Sequence, residues 1–219
     1  MMTATLLMLL NGPAHAGSAD AADHEVSLEL GTLGSRDENF SMFSSDGMLP
    51  SAGGRIGYAV MPRWSVLADY QYGRYGGGIE SEVIGADGDY DYAYSDMDLT
   101  VHQLSIGPKF DLPVTHWLRP YATVQGMGLL GRLGFAEDGD EDSRVRYGDT
   151  AAGGLAAVGI DLVPGAPRAR LHLASHLEMG YARAFALDFS DPDAGNTPAD
   201  IGDIALGGYY LRWGVGIRF

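Results

Sequence analysis

The chain contains no cysteine. A disulfide framework and a thiolate metal site are therefore both excluded. Basic residues are scarce: 14 Lys and Arg stand against 29 Asp and Glu, for a formal net charge of −15. Binding a nucleic-acid backbone needs clustered Lys and Arg, so no nucleic-acid partner is expected. No apolar run approaches the ~20 residues of a membrane-spanning helix. No Pro/Ser-rich linker or shift in composition divides the 219 residues. One domain is therefore expected.

The N-terminus carries a short apolar run, Thr3 to Leu10, and then Ala14-His15-Ala16. Small residues at the two positions that a signal peptidase reads make residues 1–16 a secretory signal peptide and 17–219 the mature domain. One feature departs from that pattern: no Lys or Arg precedes the apolar run.

Beyond it, apolar and polar residues alternate with period two in about eight stretches, as half-buried strands do. Val26, Leu28 and Leu30 alternate with Glu25, Ser27 and Glu29. Ile56, Tyr58 and Val60 form the second stretch, and Trp64, Val66, Ala68, Tyr70 and Tyr72 the third. In the fourth, Leu104, Ile106 and Phe110 share a face, but Leu99 and Val101 are out of phase with them. A β-bulge near His102 is expected to restore the phase. The fifth, Trp117 to Arg132, is Gly-rich and its phase is open. Ala152 to Leu162, Leu171 to Tyr181 and Tyr209 to Phe219 complete the set.

The connections alternate in kind. Met61–Arg63, Asp111–His116 and Val163–Arg168 are short and contain proline. Gly34–Ala52, Gly76–Met97, Gly134–Asp149 and Arg183–Asp203 are long, acidic and Gly-rich. An even number of strands with loops sorted long and short is what a bacterial membrane barrel produces. The four long connections, the second counted through Asp98, hold 21 of the 29 carboxylates.

Alternation alone does not say which face is inside. A soluble ligand-carrying barrel buries its apolar face, and a membrane barrel exposes it. The polar face here carries both signs of charge. Arg55, Asp69, His172, His176, Glu178 and Arg212, with Glu25, Glu29, Lys109 and Asp161, can pair inside a narrow lumen, as buried charges must. Aromatic residues also fall in two groups. Trp64, Trp117, Tyr121, Trp213 and Phe219 lie near short turns or the chain end. Tyr70, Tyr72 and Tyr181 lie toward the long loops. Two aromatic girdles at the bilayer interfaces are expected. The expected fold is all-β: a closed antiparallel up-and-down transmembrane β-barrel.

The final stretch, Tyr209-Tyr210-Leu211-Arg212-Trp213-Gly214-Val215-Gly216-Ile217-Arg218-Phe219, resembles the C-terminal targeting strand of outer-membrane proteins. Trp213, Val215, Ile217 and Phe219 supply its alternate apolar positions and terminal aromatic residue. The mature chain also resembles the small bacterial outer-membrane β-barrel superfamily of opacity-type, OmpW-like and OmpX-like proteins. That resemblance implies the outer membrane of a Gram-negative cell, the barrel-assembly machinery as a partner, contact with lipopolysaccharide, and a monomer.

Two sets of residues invite chemistry. His176 and Glu178 share a strand face and suit general acid–base work. His172 and His176, four residues apart, are ~14 Å apart and too distant to share a metal. The plainer reading is a lumen network, with no catalysis and no cofactor. In the second long loop, Asp87, Asp89, Asp91 and Asp98 have the spacing of a calcium loop. Tyr92 replaces the turn glycine, and Asp98 is shorter than the usual bidentate Glu. The plainer reading is a solvated acidic tip that gathers divalent cations loosely. The expected function is a structural or surface-interaction role with a plugged lumen. The alternatives are a narrow porin-like channel for small or amphipathic solutes and, further off, a lipid-modifying enzyme.

Overall fold

The structure is a computed structural model that describes residues 24–35, 40, 43, 47–84, 90–112, 114, 115, 117–137, 145–164, 171–189 and 203–219. The expected signal peptide lies outside them. Every alternating stretch forms a strand. The barrel strands are β1 (Glu25–Gly34), β2 (Met48–Met61), β3 (Trp64–Ile84), β4 (Tyr90–Asp111), β5 (Leu118–Glu137), β6 (Val145–Leu162), β7 (His172–Ala184) and β10 (Gly207–Arg218). They close into one antiparallel barrel in the order β1-β10-β7-β6-β5-β4-β3-β2. Two short strands, β8 (Leu187–Asp188) and β9 (Asp203–Ile204), pair within the last long connection. First and last strands join as expected, with Leu28 opposite Val215 and Glu25 opposite Arg218.

The faces are inverted relative to a soluble barrel. Outward residues include Leu28, 78% exposed, and Leu104 and Met179, each 62% exposed, whereas Arg55, Asp69 and Lys109 point inward at 1%. An apolar surface continuous around the wall is stable only in lipid, and a closed barrel is the one sheet form without edges there. The protein is a transmembrane β-barrel. Short turns lie on one rim and long extensions on the other; in bacterial outer-membrane barrels the extended rim is the one outside the cell.

Three expectations need correction. The second and third long connections are largely strand. β3 and β4 run for 21 and 22 residues, and β5 and β6 for 20 and 18, whereas ~9–11 tilted residues cross a bilayer. The two hairpins β3–β4 and β5–β6 therefore rise beyond the shorter β1, β2, β7 and β10. Glycine and acid on both faces hid them, because a strand above the membrane has no lipid face to mark its period. Second, no bulge occurs near His102. β4 keeps one register against β3 from Tyr90 to Phe110, and Leu99 and Val101 simply point inward, at 0% and 5% exposure. Third, Tyr121 is not in a girdle; it is buried in the lumen. Trp64 and Trp117 do face outward near the short-turn rim, but Trp213 lies in mid-belt between Leu30 and Leu177, its indole N–H donating to Ser175 Oγ at 3.1 Å.

A charge placed on this wall should cost according to its depth. Leu28→Lys, near the middle of β1, is expected to destabilise the folded barrel by about 2–4 kcal/mol, and Val60→Lys, near the short-turn rim, by about 0–1 kcal/mol. Urea unfolding in lipid vesicles measures both. Equal costs would mean that the belt is not where the exposed side chains place it.

Candidate functional site

The inward face of the lumen is built in three layers. Nearest the short-turn rim, Lys109 on β4 reaches Asp161 Oδ2 at 2.7 Å, Glu25 Oε2 at 3.2 Å and Asp111 Oδ1 at 3.6 Å. Arg218 donates to Glu25 Oε2 at 2.6 Å and also to Asp161. The second layer centres on Arg55 of β2. Its Nε meets Asp69 Oδ1 at 2.6 Å and Glu29 Oε1 at 3.0 Å, and its Nη2 meets Glu178 Oε2 at 2.9 Å. Lys109 lies 4.4 Å from the centre of the Tyr121 ring, whose hydroxyl donates to Glu178 at 2.9 Å. This ring joins the two layers.

Neutral donors complete the second layer. Gln71 donates to Glu29 at 2.5 Å, Gln125 to Asp69 at 2.6 Å, and the Tyr210 hydroxyl to Glu178 Oε1 at 3.0 Å. Arg212 stands slightly apart, 3.8 Å from Asp69 and 3.9 Å from Glu178, over the Tyr210 ring. Glycine makes room for the rings. A Cβ at Gly159 would lie 2.4 Å from the Tyr121 ring, and one at Gly214 would lie 2.2 Å from the imidazole of His176.

The third layer is apolar. Leu33, Leu49, Leu99, Leu129, Leu133 and Leu155 point inward from the walls. Phe40, Phe43, Leu187, Phe189, Ile204 and Leu206 come from the first and last long connections and are buried against them. A cavity of about 20 Å³ lies between the polar and apolar layers, beside Gln71, Gln103 and Arg212. That is room for about one water.

Most of the expected lumen set is thus brought together: Arg55, Asp69, His176, Glu178 and Arg212. His172 is not part of it; it sits half-buried at the rim, opposite Arg218. The pair considered for acid–base chemistry is split. His176 Nε2 bonds Glu29 Oε1 at 2.8 Å, whereas Glu178 is held by Arg55, Tyr121 and Tyr210. A carboxylate already accepting from three donors is a held structural anion and a poor general base. Sequence reasoning missed Tyr121, which it placed at the interface. The signal was its parity: Tyr121 shares a face with Thr123 and Gln125.

The calcium-loop reading does not survive in its full form. Asp87 and Asp89 lie outside the described residues. Asp91 and Asp98 belong to one extended strand, β4. Seven residues of strand separate them by about 23 Å, so they cannot share an ion. Asp98 instead faces Arg74 at 3.9 Å. Among the described residues, no cluster of three or more His, Asp or Glu is placed to hold a metal.

No family model matches the chain, and no curated protein matches it. Solved structures of similar shape exist. Ail, the attachment invasion locus protein of Yersinia pestis, solved in complex with the heparin analogue sucrose octasulfate, is 14% identical. The likeness covers 90% of this chain and 99% of that one, with a TM-score of 0.49. The outer membrane protein OprG of Pseudomonas aeruginosa is 11% identical over 91% of this chain and 97% of its own, with a TM-score of 0.49. The outer membrane protease OmpT of Escherichia coli is 10% identical over 94% and 99%, with a TM-score of 0.38.

The lumen network makes a direct prediction. Arg55→Met leaves three carboxylates buried without their shared cation and should cost about 3–5 kcal/mol. Arg212→Leu should cost less, because among the described residues no carboxylate lies closer than 3.8 Å to its guanidinium. Urea midpoints in lipid vesicles give the order. A wild-type midpoint for Arg55→Met would remove the network from any account of stability.

Proposed function

We propose that the protein is a closed outer-membrane barrel that acts at the cell surface and neither conducts solutes nor catalyses a reaction. The observation that carries this reading is the lumen, filled first by the two ion-pair layers and then by an apolar plug. An eight-stranded barrel has an interior only just wide enough for side chains, and here side chains occupy it. The porin-like alternative needs both layers to part. Glu178 and His176, the acid–base candidates, are each bound into the network by different partners.

The part available for a surface role is the pair of hairpins, β3–β4 and β5–β6. Residues 76–98 hold seven carboxylates and residues 134–149 hold six. Such a platform suits a cationic partner: divalent ions shared with lipopolysaccharide phosphates, or a basic protein surface. The barrel, with its own belt and lumen, does not depend on the hairpin tips.

Planar-bilayer recording should show no steady conductance from the wild type. Discrete open-channel steps would favour the channel. Calcium or magnesium titration, followed by tyrosine fluorescence, should give a response that Asp87→Asn/Asp89→Asn/Asp91→Asn weakens while the barrel stays folded. Flat responses from both proteins would remove cation binding from the proposal.

A further inference from the structure

Arginine gathers on one part of the outer wall, in a chain where acid outnumbers base two to one. Arg74 on β3, Arg132 on β5 and Arg146 on β6 all point outward and are exposed. Arg74, Thr100 and Arg132 lie in one cross-strand row. Two strand spacings put Arg74 and Arg132 about 10 Å apart. Arg132 lies opposite Gly148, two residues from Arg146. That diagonal is about 7–8 Å. Asp98 neighbours the group and approaches Arg74 at 3.9 Å. Among the described residues no carboxylate lies within ion-pair distance of Arg132 or Arg146. The described members of the patch, three arginines and Asp98, sum to a formal charge of +2.

Its position on the wall is specific. The three arginines stand just above the apolar belt: below Arg74 come Tyr72 and Tyr70, and below Arg132 comes Leu130. Beneath Arg132 and Arg146 the wall is also hollow. Gly126 pairs with Gly154, and Gly128 with Ala152. A Cβ at Gly128 would meet nothing within 4 Å, and one at Gly126 only a carbonyl oxygen at 3.9 Å. Internal packing therefore does not demand glycine there. Leu104 and Ile106 wall the hollow on one side, 62% and 59% exposed; on the other, exposed Arg183 lies opposite Gly154, with Tyr181, 45% exposed, two residues below it on β7. The floor is about two strands, or ~10 Å, wide, enough for a hydrocarbon chain.

We propose that this patch is a phosphate site for a lipid of the outer leaflet, the phosphorylated lipid A of lipopolysaccharide, with one acyl chain lying in the hollow below. Guanidinium groups bind phosphate through paired N–H donors, and Arg132 with Arg146 can approach one phosphate from two sides. Arg74 and the Thr100 hydroxyl extend the same donor surface. Charge at headgroup height above an apolar trough matches a ligand that is anionic at one end and saturated hydrocarbon at the other. The site lies on the outer wall and is independent of the acidic tips and of the surface role proposed for them.

The test uses the full-length folded protein in phosphatidylcholine nanodiscs doped with bisphosphorylated lipid A, read by native mass spectrometry after extraction. Wild type should retain lipid A. Arg74→Gln/Arg132→Gln/Arg146→Gln should lower retention by on the order of 100-fold, given the usual contribution of each basic residue near an anionic membrane surface. Gly128→Leu, which fills the hollow with the arginines intact, should lower it several-fold. Heat-dependent gel mobility confirms that both variants are folded. Dephosphorylated lipid A should be retained no better by wild type than by the triple variant. Equal retention of lipid A by wild type and triple variant would overturn the proposal, as would indifference to the phosphates. A second copy of the chain seated in the hollow, seen as a lipid-independent dimer that Gly128→Leu disperses while lipid A retention is unchanged, would also overturn it.

Discussion

Inside a bilayer no water is present to satisfy a peptide group, so every backbone N–H and C=O must find its partner within the protein. The pairing of β1 with β10 meets that demand here, turning eight strands into a surface without an edge. Much else follows from it. Eight strands fix the diameter, and the diameter leaves a lumen that only side chains fill. Period-two geometry then sends each strand's residues alternately into lipid and into that lumen. The outward set must be apolar, and the inward set is free to be polar.

A polar lumen is costly unless it is complete. Removing an ionised group from water costs several kcal/mol, and a lone buried Arg55 would not be tolerated. The chain meets this by distributing partners over the whole circumference. Arg55 on β2 takes Glu29 from β1, Asp69 from β3 and Glu178 from β7. Lys109 on β4 and Arg218 on β10 share Glu25 and Asp161 from β1 and β6. Each cation thus ties together strands that are not neighbours in the sheet. The network is a set of cross-braces as well as a plug. It holds only when the register is right, because a slip of one residue would turn every charge toward lipid.

The strand faces were legible in the sequence because lipid enforces the alternation. Leu28, Leu30, Ile56, Leu104 and Leu211 cannot be polar where they stand, so the belt declares itself. The network was legible as a set of inward charges but not as pairs, since partners such as Arg55 and Glu178 are joined only by the curvature of the barrel. Tyr121 was misplaced because an aromatic near a short turn suits the interface as well as the lumen, and only its parity decides. The projecting hairpins were missed for a different reason. Gly76-Gly77-Gly78 and the acids that follow have low strand propensity, yet β3 and β4 arrive already paired, and extending an existing ladder needs no new nucleation. The arginine patch was invisible too: Arg74, Arg132 and Arg146 are far apart in sequence, and only register brings them together.

β4 shows most directly what the membrane does to a strand. In its lower half Leu104 and Ile106 face outward and Gln103 and Ser105 inward; in its upper half Leu99 and Val101 face inward and Thr100 and Asp98 outward. The register is continuous between them, so the backbone has not changed phase. The surroundings have. Below the change the outside is lipid, and hydrophobic residues belong there. Above it the outside is water, and the lumen side is the only place left to bury them. The out-of-phase pair Leu99 and Val101, which in a soluble sheet would signal a bulge, instead marks where the chain leaves the bilayer. β5 makes the same exchange between Val124, which faces lipid, and Met127 and Leu129, which face the apolar plug. The arginine patch lies just above this boundary, where a wall that has become polar meets the charged groups of the outer leaflet.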